Sequence, residues 1–412
     1  MKLISAELIL PITRPPFKNS ALVINSGKIL EIGSRKNLTK KYPQAEEFHY
    51  PLVMPGLINA HTHLELSGLK KLSASGGFTS WIIRLIKEKR KWDSTGYVRA
   101  AQKEIQNQLK LGVTSIGDVL SDPVLLEAHH HSPLFSTAFY ELIEIREQQR
   151  ELKMELAKKH LAEFNFSLGR TRAGLSPHTP YTASRSLYQQ AKKLAKAYSL
   201  GCCTHLAESE AETELIRNGS GPILTRLYSK QLLMDIKFQP SSCSPAEYLA
   251  DFIDQNMTLI HCVEISDSDL EIIAKARAVV HCPRSNLHLT GKLAPIPKML
   301  DAGIPVGLGT DSPASAGDTN LWNEMKKVFE LRKDYPGRAL KPFEILQMAT
   351  IHSARAIFRE KELGSLDPGK IANLIGLKPG RISGSLNRLS SAIINSGEDL
   401  IQVVFLNGEL IH

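Results

Sequence analysis

The chain has 412 residues, 42% of them apolar, and a formal net charge of +9. That is enough for one large domain with a sizeable core and a small appendage. No run approaches the roughly 18 uninterrupted apolar residues that a membrane-spanning helix needs, so no membrane partner is expected. The positive charge is scattered through stretches such as Lys87-Glu88-Lys89-Arg90-Lys91, and only 6% of residues are aromatic. This is the pattern of a solvated surface rather than a nucleic-acid stripe, with attraction of an anionic substrate as the sharper alternative. The five cysteines are odd in number and lack paired spacing, which argues against a secreted disulfide framework or a zinc ribbon. A charge at Lys2 comes too early for a signal peptide, and a cytoplasmic location is expected.

Residues 1–52 read as short strands and turns, Lys2–Leu10, Ser20–Asn25 and Lys28–Ile32, with a turn at Ser26-Gly27 and no helix signal. From Val53 the texture becomes strand, helix, strand, helix. Strands are predicted at 53–61, 113–118, 134–141, 171–177, 201–206, 257–262, 278–282 and 304–310. Amphipathic helices are predicted at 94–111, 147–165, 184–199, 266–275 and 318–333. Residues 219–256, with Pro222, Pro240 and Pro245, read as a helical and loop insertion near the mouth. After residue 360 the β texture returns, with a turn and strand in 364–377 and a hairpin around Asn407-Gly408. The expected domains are 1–52, 53–360 and 361–412. The central one is a parallel (β/α)8 barrel, whose active site lies at the carboxyl ends of its strands.

Polar groups gather at those ends. The apolar run 52–58 delivers His61 and His63, two residues apart. In an extended strand such residues point to one side, with about 6–7 Å between their Cα atoms, and two imidazoles can share one metal. A bare His-x-His is a weak signal. It gains weight because later predicted strands end in His205, followed by Glu208, and in His261, His281 and Asp311.

The motifs Pro-Gly-Leu-Ile-Asn-Ala-His-Thr-His (55–63), Ser-Pro-His-Thr-Pro-Tyr (176–181), His-Leu-Ala-Glu (205–208), His261, His-Cys-Pro-Arg-Ser-Asn (281–286) and Gly-Leu-Gly-Thr-Asp (307–311) span the chain in order. This set resembles the amidohydrolase superfamily, in the branch of nucleoside and nucleobase deaminases and chlorohydrolases. The resemblance implies a TIM-like barrel with a small β-sandwich formed by both chain ends, although many relatives have Asp where Asn373 stands. It implies one divalent ion, Zn²⁺ first and Fe²⁺ second, held by His61, His63, His205 and Asp311. Such a site lowers the pKa of a bound water to about 7, and the second oxygen of Asp311 is expected to accept that water's proton. Glu208 is expected to carry protons as general acid and base, with His261 orienting the attacking group or polarising the substrate. A two-metal site normally needs a lysine from the fourth strand, and 171–177 has none.

For the substrate, a small-molecule purine nucleoside, the candidates are His178, Glu65, Trp81, Arg284 and His288. Three of them have a plainer reading. His178 can be a loop residue, Glu65 a surface residue, and Trp81 can cover the base or merely pack a helix. Ser285 is a further candidate, His281 can be structural, and Asn286 reads as a loop-ordering side chain. Residues 59–67, 244–249 and Arg284 resemble the aminofutalosine deaminases of menaquinone synthesis. S-adenosylhomocysteine and methylthioadenosine deaminases share them less consistently. The expected reaction is removal of the 6-amino group of an adenosine derivative. A chlorohydrolase or guanine deaminase, and an inactive scaffold barrel, are the alternatives. A homodimer is the candidate assembly.

Overall fold

Eight parallel strands follow one another around a sheet in chain order: Leu57–Thr62, Val113–Leu120, Phe135–Leu142, Thr171–Pro177, Gly201–Leu206, Met257–His261, Ala278–His281 and Val306–Leu308. The computed structural model describes residues 1–163, 167–229, 236, 238–380 and 384–411. Most of these strands are buried on both faces, which is why they read as near-continuous apolar runs rather than as alternating patterns. The last strand returns to the first. A parallel bridge joins Thr62 to Asp311, and the carbonyl of His61 accepts the amides of Thr310 (2.9 Å) and Asp311 (3.1 Å). The barrel thus closes on the backbone of the His-x-His strand.

That closure needs glycine at 309. A Cβ there would lie 2.7 Å from His61 Cβ and 2.8 Å from its carbonyl oxygen. The need also shortens the last strand. Expected at 304–310, it spans Val306–Leu308, and Gly309-Thr310 turn beneath His61.

The run predicted as one strand from 53 to 61 is two. Glu46–Pro55 belongs to a second sheet, where it runs parallel to Lys2–Ile9 and antiparallel to Leu374–Leu377. The chain breaks at Gly56, whose amide donates to the carbonyl of Asn373 (3.1 Å), and re-enters the barrel at Leu57. The second sheet has seven strands drawn from both chain ends, ordered Glu409–Leu410, Ile401–Leu406, Leu374–Leu377, Glu46–Pro55, Lys2–Ile9, Phe17–Asn25 and Lys28–Ser34. It has its own core, including Ile4, Leu22, Ile24, Leu374 and Phe405. The expected Asn407-Gly408 turn has φ of 53° and 76°, the left-handed pair that a two-residue hairpin requires. The side chain of Asn373 accepts the amide of Asn407 (2.8 Å) and so holds that turn.

Two helices fall where only β texture was read. Arg35–Lys41 packs through Leu38 on one face of the small sheet, against Leu3, Ala21 and Val23. Leu386–Ser396 is capped by Ser385, and its Leu389, Ile393 and Ile394 join the main barrel core beside the helices Leu321–Glu330 and Pro342–Gln347. The predicted helix 147–165 appears as Arg150–Glu163 after a short 3-10 turn, and residues 164–166 lie outside the described residues. The predicted 266–275 helix is a 3-10 turn, Asp267–Asp269, followed by Leu270–Ile273. In the 219–256 insertion, Ile223–Tyr228 forms one helical segment and Pro245–Tyr248 another. Residues 230–235 and 237 of that insertion lie outside the described residues. Among the described residues no helix is long and apolar enough to cross a membrane.

Gly309→Ala is expected to force the last strand off His61, lowering stability by about 1–3 kcal/mol and reducing metal retention. Thermal denaturation together with metal content checks this. Unchanged values for both would mean that the strand yields without disturbing the site.

Candidate functional site

His61 and His63 leave the first barrel strand toward one side, and His205 comes from the end of the fifth. Their ring centroids lie 4.9 to 5.6 Å apart, and one ring nitrogen from each falls within 4.8 Å of the others. The Asp311 Oδ1 atom is 3.9 Å from His61 Nε2 and 3.7 Å from His63 Nε2. His61 Nε2 is buried with no hydrogen-bond partner. Leaving such an atom unpaired costs about 1–3 kcal/mol, a cost that a coordinated cation removes. Burial, reinforced by the neighbouring histidines, pushes His61 and His205 well below the usual imidazole range. They are therefore neutral, as ligands must be. His205 Nδ1 donates to the carbonyl of His178 (3.1 Å), which turns its other nitrogen to the cluster. The donor set, its neutrality and the unpaired nitrogen all fit one divalent ion.

The second oxygen of Asp311 is not free. Oδ2 accepts hydroxyl hydrogens from Ser285 (2.7 Å) and Ser315 (2.7 Å). The expectation that it takes the proton of a bound water therefore meets an oxygen already engaged. Ser285, considered as a substrate contact, instead holds Asp311.

Glu208 stands beside this cluster, with Oε1 3.5 Å from His261 Nε2. Burial first, then the charges of Asp311 and Glu212, push its carboxyl well above the usual range. His261 Nδ1 donates to Asn286 Oδ1 (2.8 Å), Asn286 Nδ2 donates to His281 Nδ1 (3.1 Å), and His281 Nε2 donates to the Tyr335 hydroxyl (3.2 Å). Burial pushes His281 down to about 3, so it stays neutral as an acceptor. The chain of bonds fixes the His261 tautomer and leaves its Nε2 facing Glu208. His281, which the sequence left undecided, and Asn286, read there as a loop-ordering side chain, both lie behind His261 in this relay.

These groups open into a cavity of about 450 Å³. One wall is apolar, built from Leu66, Phe78, Trp81, Ile82, Leu85 and Ile86. Leu227 and Tyr228 of the insertion face the same space. Trp81 lines the cavity while its indole Nε1 donates to the carbonyl of Ala314 (3.2 Å), so it both packs and faces the void. His178 also lines it, with Nδ1 2.7 Å from the Thr182 hydroxyl.

Three expected substrate contacts are absent from the lining. Glu65 is buried with Oε1 accepting from Lys89 Nζ (2.6 Å) and the Ser121 hydroxyl (2.6 Å). Arg284 makes a two-pronged pair with Asp318, at 2.6 and 2.9 Å, and donates to the carbonyl of Ala316. Its guanidinium is therefore already matched to a carboxylate within the chain, which corrects the expectation that it contacts the substrate. His288 Nε2 donates to the carbonyl of Leu72 (2.7 Å) and ties the helix Pro283–Thr290 to the loop at Leu72.

Four residues escaped the sequence reading. Glu141 and Lys89 line the cavity. Glu212 accepts the amides of Ala207 (2.8 Å) and Glu208 (3.0 Å), one on each oxygen, and so holds the backbone that presents Glu208. Asp118 accepts the amide of Leu64 (2.9 Å) and pairs with His129 Nε2 (2.7 Å), fixing the chain just past His63. The only sequence signal for Glu141 and Asp118 was a carboxylate near the end of a barrel strand.

A model of the amidohydrolase family matches residues 52–411. The chain belongs to the amidohydrolase family. It is accordingly a hydrolase acting on carbon–nitrogen bonds. Among curated amidohydrolase relatives, the aminodeoxyfutalosine deaminase of Deinococcus radiodurans is 30% identical over 82% of this chain and 81% of its own length. The 5'-deoxyadenosine deaminase of Methanopyrus kandleri is 27% identical over 95% and 88%. The crystal structure of Helicobacter pylori aminofutalosine deaminase with methylthio-coformycin superposes with a TM-score of 0.87 at 24% identity, covering 100% of both chains. It shares the barrel and the small β domain.

Glu212→Gln places an amide NH₂ against a backbone N–H and removes one acceptor. It is expected to cost about 1–3 kcal/mol of stability and to lower kcat while metal content holds. Denaturation and steady-state kinetics test this. Unchanged values for both would leave Glu212 without a positioning role.

Proposed function

We propose that this chain hydrolytically removes the 6-amino group of an adenosine derivative, with 6-amino-6-deoxyfutalosine as the substrate. The observation that carries the reading is Glu208 standing 3.5 Å from His261, beside the His61, His63, His205 and Asp311 cluster and within one cavity. Water adds at C6, the C6–N6 bond breaks, and N6 leaves as ammonia carrying the water's second proton. A divalent ion held by those four residues supplies Lewis-acid activation of water near neutral pH. Glu208 moves the water's proton to the ring nitrogen, because its carboxyl reaches into the cavity from a backbone held by Glu212. His261 Nε2, set by Asn286, accepts a hydrogen from the attacking group. Asp311 contributes Oδ1, since Ser285 and Ser315 occupy Oδ2.

The purine is held against Trp81 and the apolar helix Phe78–Lys89, with His178 on the opposite polar side. The same apolar wall, extended by Leu227 and Ile143, suits an aryl-bearing 5′ substituent. The relative named for aminodeoxyfutalosine supports that tail, and the relative named for 5'-deoxyadenosine supports a shorter one. The complete ligand set speaks against an inactive scaffold.

The test is kcat/KM by ammonia release and loss of adenine absorbance. The panel is aminodeoxyfutalosine, 5'-deoxyadenosine, methylthioadenosine, S-adenosylhomocysteine, adenosine, guanine and a chlorinated triazine. Aminodeoxyfutalosine is expected to lead, with close to one divalent ion per chain. Glu208→Gln is expected to keep the ion and lose about 10²–10⁴-fold in turnover. A higher kcat/KM on guanine or the triazine than on every adenosine derivative would overturn the reaction. A lead for another adenosine derivative would overturn only the tail.

A further inference from the structure

Among the described residues Glu141 is a carboxylate that no hydrogen-bond donor reaches. It sits near the end of the third barrel strand, Phe135–Leu142, with its side chain 7% exposed, and it lines the cavity. Among the described residues no donor comes within hydrogen-bond distance of it. The nearest group is His178, whose Nε2 lies 3.7 Å from Glu141 Oε1. Glu65 makes the contrast. More deeply buried, it has its oxygens filled by Lys89 and Ser121. Burial alone would raise the Glu141 carboxyl, but the facing His178 and Lys89 bring it below the usual range. It is an anion that lacks donors. A buried acceptor left unsatisfied is costly, and the cavity is where donors can arrive.

Its position says which donors. The His178 ring is centred 5.0 Å from the His205 ring, and its Nε2 lies 3.7 Å from Glu141 Oε1. Glu141 and His178 thus line the cavity next to the histidine cluster. With C6 of a purine held at the histidine cluster, the sugar extends past the ring along this wall. A cationic ligand group would meet the ammonium of Lys89, which lines the same wall. Neutral hydroxyls meet no such repulsion, and a vicinal pair matches the two oxygens of one carboxylate.

We propose that Glu141 binds the 2′- and 3′-hydroxyls of the substrate ribose, one on each carboxylate oxygen, and so selects ribonucleosides. This rests on the deaminase reading above. Hydroxyl-to-carboxylate bonds are charge-assisted, and a site built around them rejects analogues that leave its acceptor bare. Glu141 touches the sugar and not the reacting atoms, so its loss falls on KM more than on kcat.

The test compares Glu141→Gln and Glu141→Ala with the unaltered metal-loaded enzyme. The substrates are adenosine and methylthioadenosine, each beside its 2′,3′-dideoxy analogue. The unaltered enzyme is expected to prefer the ribose forms by about 10–100-fold in kcat/KM. Both variants are expected to lose most of that preference, mainly through KM, while their rates on the dideoxy forms stay within about threefold. Equal losses on ribose and dideoxy forms would overturn the assignment and make Glu141 a positioning group for His178. Turnover of no adenosine derivative by the unaltered enzyme would remove the deaminase reading and this inference with it. The two failures are therefore distinct.

Discussion

Everything at the candidate site depends on the backbone of one residue. The carbonyl of His61 accepts the amides of both Thr310 and Asp311, and that pair of bonds closes the barrel. Without it the Asp311 carboxylate, separated from His61 by 250 positions of chain, has no reason to sit 3.9 Å from the imidazole. Closure requires Gly309, because any Cβ would press into His61. It requires the left-handed backbone of Asp311, at φ 56°, to swing the carboxylate inward. The side chain of Asn59 locks the same turn by accepting the amide of Thr310 (3.1 Å) and donating to its hydroxyl (2.8 Å).

Around this closure, several groups at the site are held by a neighbour that takes up hydrogen-bonding capacity. Ser285 and Ser315 occupy one oxygen of Asp311. The carbonyl of His178 orients His205, and Asn286, backed by His281 and Tyr335, orients His261. Glu212 holds the backbone under Glu208. Such outer contacts fix ring orientation and tautomer, which a metal site needs as much as the ligands themselves. Two groups break the pattern: His61 Nε2 is buried and bare, and Glu141 faces the cavity without a donor. One is suited to a cation and the other to hydroxyls.

Much of this was legible in the sequence, for identifiable reasons. Parallel barrel strands are buried on both faces, so they stand out as apolar runs, and their carboxyl ends mark where His61, His63, His205, His261 and Asp311 emerge. Local punctuation also read well, as at Asn407-Gly408. The misreadings share a cause: a residue type shows what it can bind but not what has already bound it. Arg284 suits a carboxylate, and Asp318 supplies one from within the chain. Glu65 suits a hydroxyl or a cation, and it has Ser121 and Lys89. Glu141 carried no motif, and only the fold shows that no donor among the described residues reaches it. The strand predicted at 53–61 hid a change of sheet at Gly56, because apolar periodicity does not record which sheet a strand joins. The helix Leu386–Ser396 carried its own signals, with Ser385 before it and Leu389, Ile393 and Ile394 on one face, but it lay among β-textured neighbours.

The central claim is that water replaces the 6-amino group of an adenosine derivative at this cluster. Turnover of methylthioadenosine by the metal-loaded enzyme in ¹⁸O-labelled water, with product mass and ammonia measured together, tests it most directly. The account predicts one ¹⁸O atom at C6 of each product molecule and one ammonia released with it. Product without the label, or release of adenine by cleavage at the sugar instead, would contradict it.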